Sequence, residues 1–444
     1  MSNATADRAR ACQSASEQAH GVSPPIDGSR SSQGAAKPNR SHRNCTKTKH
    51  SGRTATSSFD NQVHAPQSPD NFRRRDVLGD PEAAKASATE ETESTMSTNS
   101  TVMTGNGPRA FFESGLQAEP TPFESIPVID FSALTNGGDL AARSAVGAAV
   151  RQACTEVGFF YAVGHGVSEE VIERTFSAAH AFFDLPLDSK LAISVEKSDA
   201  MRGYTPLLGE NTDPANKGDL HEGFDLALDL DEDDPDVKAG VFGYAPNQWP
   251  TGLPGFREAL LDYHNEVRIF GERIFQAFAL ALELPEDFFA ERITKPMAHM
   301  RVLHYPSQEG AIDERQIGIG AHSDYECFTM LCTDYVPALQ VLNSAGKWVM
   351  APPMKGAFIV NVGDMMARWT NDYFCSTIHR AINASGRRRY SIPFFFGVNS
   401  REVIEVLPSC QSPQNPPRYE PIEAGEYIRS RFDDTYAHRK ETSE

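Results

Sequence analysis

Three side chains in the second half of the chain have the types and spacing of a metal site. Gly318-Ile-Gly-Ala-His322-Ser-Asp324 sets an imidazole and a carboxylate two residues apart. On an extended strand, residues i and i+2 point to one face, so both can address one ion. A second imidazole, His379, follows in Ser376-Thr-Ile-His379-Arg380, with 54 residues between it and Asp324. That gap is too long for local pairing and suits strands returning across a barrel. Two imidazoles and one carboxylate on one face of an octahedron leave three positions open, the donor set of non-haem iron(II) centres. A lone His-x-Asp is a common surface pair; the third ligand and the residues after it sharpen the signal.

Ten residues beyond His379 comes Arg389-Tyr390-Ser391. On a strand, Arg389 and Ser391 share a face, and a guanidinium beside a hydroxyl suits a carboxylate. Tyr305, in Arg301-Val-Leu-His-Tyr305-Pro306, can supply another hydroxyl. Arg387 and Arg388 are expected to be surface ion pairs. His304 would face away from Tyr305 on the same strand. His165, His180, His221, His264 and His299 have no partner at ligand spacing, so satisfied or exposed imidazoles are expected there. Cys327 and Cys332 are expected to be buried small apolar groups rather than nucleophiles.

These residues need a scaffold of short strands. From Met300 the runs RVLHY, CFTMLCT, ALQVL, KWVMA, AFIVNV, STIHRAI and YSIPFFF alternate with Gly, Asn, Asp and Pro. Many closely spaced short strands predict an antiparallel sandwich or barrel. Ahead of them, residues 255–283 carry the longest helical pattern. Earlier helices are expected over 138–157 and from Ser168 to about Phe183, with strands at Ile126–Phe131 and Phe159–Val163. The acidic run Asp229–Asp236 lacks the Gly and terminal Glu of a calcium loop and is expected to be a solvated loop.

Charge divides the chain. Residues 1–110 hold 14 Lys/Arg and 11 Asp/Glu, a net of +3; the rest holds 28 and 49, a net of −21. The first 58 residues contain no aromatic residue and no Leu. Such a segment buries too little apolar area to offset its ordering entropy, so residues 1–110 are expected to be a disordered tail. Its basic clusters, at 42–53 and Arg73–Arg75, are expected to be solvated. A formal charge of −18 argues against nucleic acid or an anionic membrane as the partner. The longest apolar runs fall short of a membrane span. Seven scattered Cys and no secretory leader point to the cytoplasm.

Taken together, these motifs resemble the isopenicillin N synthase-like family of Fe(II)/2-oxoglutarate-dependent oxygenases over roughly residues 122–430. IPVIDFSAL at 126–134, GFFYAVGHGV at 158–167, RGY at 202–204, KGDLHEGFDLAL at 217–228 and PNQWP at 246–250 are similar to the family's leading region. GIGAHSDY, LQVLNSAGKWV, NVGDMMARWTN, STIHRAIN and RRRYSIPFFF are similar to its core, with Ala338 where Gly is usual. The resemblance implies a mainly β fold with flanking helices, a double-stranded β-helix or jelly-roll. It implies a leading region over 122–250, a long helix over 251–299 packing on the core, the jelly-roll over 300–405 and a C-terminal segment over 406–444. By the same resemblance, His322, Asp324 and His379 bind iron, and Arg389 and Ser391 with Tyr305 bind the distal carboxylate of 2-oxoglutarate.

The implied activity is oxidation of a small organic molecule by O2, with succinate and CO2 as co-products. The family also holds 2-oxoglutarate-independent oxidases of the isopenicillin N synthase type, which stand as the alternative; a non-catalytic jelly-roll binding protein is a third reading. Substrate contacts are expected from the 199–226 loop, at Arg202 and Tyr204, and from the segment after Asn399. A monomer is expected.

Overall fold

The computed structural model of the chain describes residues 99–112, 115, 116, 118, 126–198, 200–213, 216–308 and 310–441. The two basic clusters and all of the expected tail before 99 lie outside the described residues.

The alternating runs from Pro296 onward fold into two facing sheets of a jelly-roll. The larger has eight strands in the order Val128–Asp130, Phe159–Val163, Phe358–Val362, Phe328–Thr333, Arg389–Asn399, Pro296–Tyr305, Glu222–Leu226 and Gly203–Thr205. The smaller has four, in the order Trp348–Met350, Leu339–Leu342, His379–Ala381 and Ile319–His322. The leading region contributes four of the eight strands in the larger sheet, so it is built into the core rather than set beside it. The core itself begins at Pro296, ahead of the expected boundary at 300.

One helix, Phe256–Ala281, backs the larger sheet. Its buried stripe runs through Tyr263, Val267, Phe270, Ile274 and Phe278, at the spacing that puts one face on a core. Gly271 lies on that stripe. A Cβ there would sit 2.5 Å from the Phe396 ring, so only glycine lets the helix approach this closely. Leu140–Glu156 packs on the same helix and is capped by Asp139, which accepts from the Ala142 amide at 2.8 Å. The third expected helix forms over Glu169–Phe183.

The acidic run is an ion-paired turn. Asp234 caps the short helix Pro235–Lys238, and Lys295 Nζ meets Asp234 at 2.6 Å and Asp236 at 2.7 Å.

The expected tail boundary at 110 needs correction. Asn99–Thr104 and Gly107–Phe112 pair as an antiparallel hairpin. Val102 and Phe111 are buried against Ala321, Trp348 and Ile378, and the Phe111 ring meets Trp348 edge-on at 5.9 Å. Asp364 receives the Gly105 amide at 2.6 Å, and Arg431 Nη1 donates to the Thr104 carbonyl at 2.9 Å. The segment is poor in apolar residues, but the few it has dock on the smaller sheet. Burying a Val or Phe side chain contributes about 1.5–3 kcal/mol. A chain beginning at Ile126 is therefore expected to melt several degrees below one beginning at Asn99. Equal melting temperatures in a thermal scan would show that the hairpin adds no stability.

Among the described residues, no helix is long and apolar enough to cross a membrane.

Candidate active site

His322 ends one strand of the smaller sheet, and His379 opens the neighbouring strand directly across from it. Their ring centroids are 4.3 Å apart. Asp324 does not continue the strand, as the two-residue spacing suggested. The strand stops at His322, and the chain turns through 323–327 to enter the larger sheet at Phe328. The carboxylate thus stands at the corner between sheets. Its backbone is pinned there by the Asp364 amide, which donates to the Asp324 carbonyl at 2.8 Å.

Asp324 Oδ1 lies 3.7 Å from Nε2 of both His322 and His379. One ligand atom from each residue falls within 4.8 Å of the others, the one such group among the described residues. Every other polar atom of the three is engaged. His322 Nδ1 faces the Gly320 carbonyl at 2.8 Å, and His379 Nδ1 faces the Thr377 carbonyl at 3.1 Å. A carbonyl can only accept, so each Nδ1 carries a proton and Nε2 is the atom turned toward the group and able to ligate. Asp324 Oδ2 accepts from Asn361 Nδ2 at 2.7 Å and from Thr329 Oγ1. Burial, helped by His379, pushes the His322 imidazole down to about 4, so it is neutral at pH 7. Burial opposes ionisation of Asp324, but the two imidazoles and the bonds from Asn361 and Thr329 outweigh it and hold the carboxyl below its usual range. Two imidazoles and one carboxylate with ligand atoms converging on one point fit a non-haem iron(II) ion.

Arg389 and Tyr305 are direct partners across two strands of the larger sheet. Arg389 is only 2% exposed. Its guanidinium lies 4.5 Å from the Tyr305 ring centroid, and it donates to the Val336 carbonyl and to Ser391 Oγ, both at 3.3 Å. Asp334 is near, but its carboxylate accepts from the Tyr390 and Val336 amides, and Arg389 makes no ion pair among the described residues. A buried guanidinium whose hydrogen-bond partners are neutral, beside a serine hydroxyl, has the donors to receive a carboxylate.

A cavity of about 230 Å³ joins the two groups. Its walls include Met297, Phe395 and Phe432 on the apolar side, and Glu210, Asp225 and Arg301 on the polar side. The 199–226 loop and the C-terminal helix Ala424–Glu441 both contribute, as expected. Arg202 lines the cavity; Tyr204 does not. Gly203, at φ 112°, turns the chain between them. Tyr204 instead points into a buried cluster, where its hydroxyl and Lys190 Nζ each meet Glu222 Oε2 at 2.6 Å. His304 Nδ1 meets Glu222 Oε1 in that cluster at 2.7 Å, so it faces away from Tyr305 as expected. Arg388 forms the expected surface pair, with Asp184 at 2.8 Å. Cys327 and Cys332 are buried, and burial raises both thiols.

Among the cavity residues that sequence reasoning passed over are His221, Asp225, His299 and Arg301. The signal was present. Met297, His299, Arg301, Leu303 and Tyr305 alternate along one strand, so all face where Tyr305 faces. Glu326 was also missed. It is buried by the metal group, and burial followed by the Asp324 charge pushes it up to about 8.

The model of the non-haem dioxygenase in morphine synthesis N-terminal region matches residues 126–252, and that of the 2OG-Fe(II) oxygenase superfamily matches residues 296–398. The 2-oxoglutarate-Fe(II) type oxidoreductase hxnY of Emericella nidulans is 38% identical over 327 residues, covering 72% of this chain and 93% of that protein. The 2-oxoglutarate-dependent dioxygenase tropC of Talaromyces stipitatus is 36% identical over 324 residues, covering 70% and 95%. The crystal structure of a full-length Neurospora crassa protein in complex with α-ketoglutarate and thymine is similar at a TM-score of 0.62 and 27% identity, covering 70% of this chain and 97% of that one. The chain belongs to the 2-oxoglutarate- and Fe(II)-dependent oxygenase superfamily. It is a dioxygenase that uses Fe(II), 2-oxoglutarate and O2 to oxidise a small organic molecule, with succinate and CO2 as co-products.

Proposed function

We propose that His322, Asp324 and His379 are the iron ligands, and that Arg389, Ser391 and Tyr305 hold the distal carboxylate of 2-oxoglutarate. The observation that carries this reading is the pairing of two sites in one cavity. Three converging ligand atoms stand at one place. At another stands a buried guanidinium that has no ion-pair partner among the described residues.

The protein's own part in catalysis is positioning and shielding. The Gly320 and Thr377 carbonyls hold the two imidazoles in the tautomer that offers Nε2. Asn361 and Thr329 hold one carboxylate oxygen of Asp324 and leave the other free. The Arg389 fork would hold the far end of the co-substrate, in the cavity it shares with His322, Asp324 and His379. The apolar wall keeps water from the reacting atoms. Iron(II) bound there supplies O2 activation coupled to decarboxylation of 2-oxoglutarate. Arg202 is proposed as a substrate contact, supported by its place on the wall.

In domain terms we read the leading region and the jelly-roll core as one catalytic unit. The acidic charge and the scattered cysteines support a cytoplasmic enzyme without a nucleic-acid or membrane partner, and we take it to act as a monomer.

The test is calorimetric titration of 2-oxoglutarate into the anaerobic Fe(II)-loaded protein. Ser391→Ala and Tyr305→Phe each remove one hydroxyl. Each is expected to weaken the co-substrate by roughly 3- to 10-fold, the worth of about one hydrogen bond. Iron content is expected to stay unchanged. Unaltered 2-oxoglutarate affinity in both variants would place the distal carboxylate elsewhere.

A further inference from the structure

The charged groups on the substrate side of the cavity can be counted and matched. Arg301 is charge-paired: Nη1 meets Glu210 Oε2 at 2.9 Å, Nη2 meets Glu210 Oε1, and Nε lies 2.7 Å from Asp225 Oδ1. Asp225 and Arg301 are direct cross-strand partners, so this pairing is built into the sheet register. Arg202 is linked to the same carboxylate through an imidazole. Its Nη1 donates to His299 Nδ1 at 3.1 Å, and His299 Nε2 donates to Asp225 Oδ1 at 2.7 Å. In that arrangement His299 carries one proton and no charge, and burial lowers its proton affinity in the same direction. His221 faces two acceptors, the Gly318 carbonyl at 2.9 Å and Glu210 at 3.3 Å, and is offset by Asp219 behind it. Arg380, on the metal side, lies 4.0 Å from the Trp348 ring centroid and donates to Gln340 at 2.8 Å and to the Gly115 carbonyl at 2.7 Å.

The cations Arg202, Arg301 and His221 are thus balanced by Asp225, Glu210 and Asp219. Arg389 is claimed by the co-substrate, and Arg380 is held on the metal side against Trp348, Gln340 and the Gly115 carbonyl. A carboxylate on the substrate would enter a desolvated wall where Arg202, Arg301 and His221 are already matched, which is costly. The remaining surface is mostly apolar, with Met297, Phe395 and Phe432 on it.

We propose that the organic substrate is a neutral, largely apolar molecule, and that the pairing of Arg301 with Glu210 and Asp225 is what excludes carboxylates. This rests on the site reading under Proposed function. The two are separable, because co-substrate loading is measured first.

The test uses two probes of one shape, benzamide and benzoate. The full chain is loaded anaerobically with Fe(II) and saturating 2-oxoglutarate, and loading is confirmed by calorimetry; failure to load would fault the iron and co-substrate assignment instead. Each probe is then titrated in. Benzamide is expected to bind at least about tenfold tighter than benzoate, the selectivity that one unmatched buried charge readily produces. Asp225→Asn and Glu210→Gln each free a positive charge on the wall. Each is expected to raise benzoate affinity at least about tenfold and to change benzamide less than threefold, and either variant suffices should the other fail to fold. Benzoate binding as tightly as benzamide in the wild-type protein would overturn the proposal. So would the absence of binding by both probes, or folded variants that leave the benzoate-to-benzamide ratio unchanged.

Discussion

His322→Ala, Asp324→Ala and His379→Ala are each expected to abolish 2-oxoglutarate turnover. Three ligand atoms converge in this site, and no further His, Cys, Asp or Glu among the described residues joins that group. Losing one ligand leaves a two-point site. Losing even an outer partner of a ligand typically costs about 10–100-fold in metal affinity or activity, so removing a ligand itself is expected to cost more. The cleanest variant is His322→Ala, which ends a strand and frees only the Gly320 carbonyl. Asp324→Ala also strands Asn361 and Thr329, so its melting temperature is expected to fall as well. Iron retained after dialysis and succinate release are the readouts. A folded His322→Ala protein with wild-type iron content and activity would remove that residue from the ligand set.

Arg389→Lys is expected to raise the apparent constant for 2-oxoglutarate by roughly 10- to 100-fold, the 1.5–3 kcal/mol of a charge-assisted hydrogen bond. Lysine keeps the charge and loses the planar fork. It also loses the contact with Ser391 and the stacking on Tyr305. Iron affinity is expected to hold, because Arg389 is no ligand. Should the constant for the organic substrate rise in its place, Arg389 would move to the substrate side and the enzyme would resemble the oxidases that do without 2-oxoglutarate.

The parts of this site that were legible in the sequence are those governed by local alternation. Arg389 and Ser391 share a face because they are two apart on one strand, and Tyr305 meets them because strand pairing is regular. The jelly-roll was legible for the same reason, from strand-length runs separated by turn residues. What was hidden depended on breaks in regularity or on distant pairing. Asp324 stands where the chain changes sheets, and Tyr204 is swung away by the left-handed backbone at Gly203. The charge-matched wall forms only when Glu222–Leu226 aligns with Pro296–Tyr305 and sets Asp225 against Arg301. The hairpin at 99–112 looked like tail because its order comes from docking on Trp348, not from its own composition.

An anaerobic titration of 2-oxoglutarate into the Fe(II)-loaded protein, followed by visible absorption, tests the central assignment most directly. A keto acid chelated to iron gives a metal-to-ligand charge-transfer band. The wild-type protein is expected to develop that band and saturate at one 2-oxoglutarate per chain. Arg389→Lys is expected to reach the same band at higher 2-oxoglutarate, and His322→Ala to develop none. Absence of the band in the wild-type protein, or an undiminished band in His322→Ala, would contradict the assignment of iron to His322, Asp324 and His379.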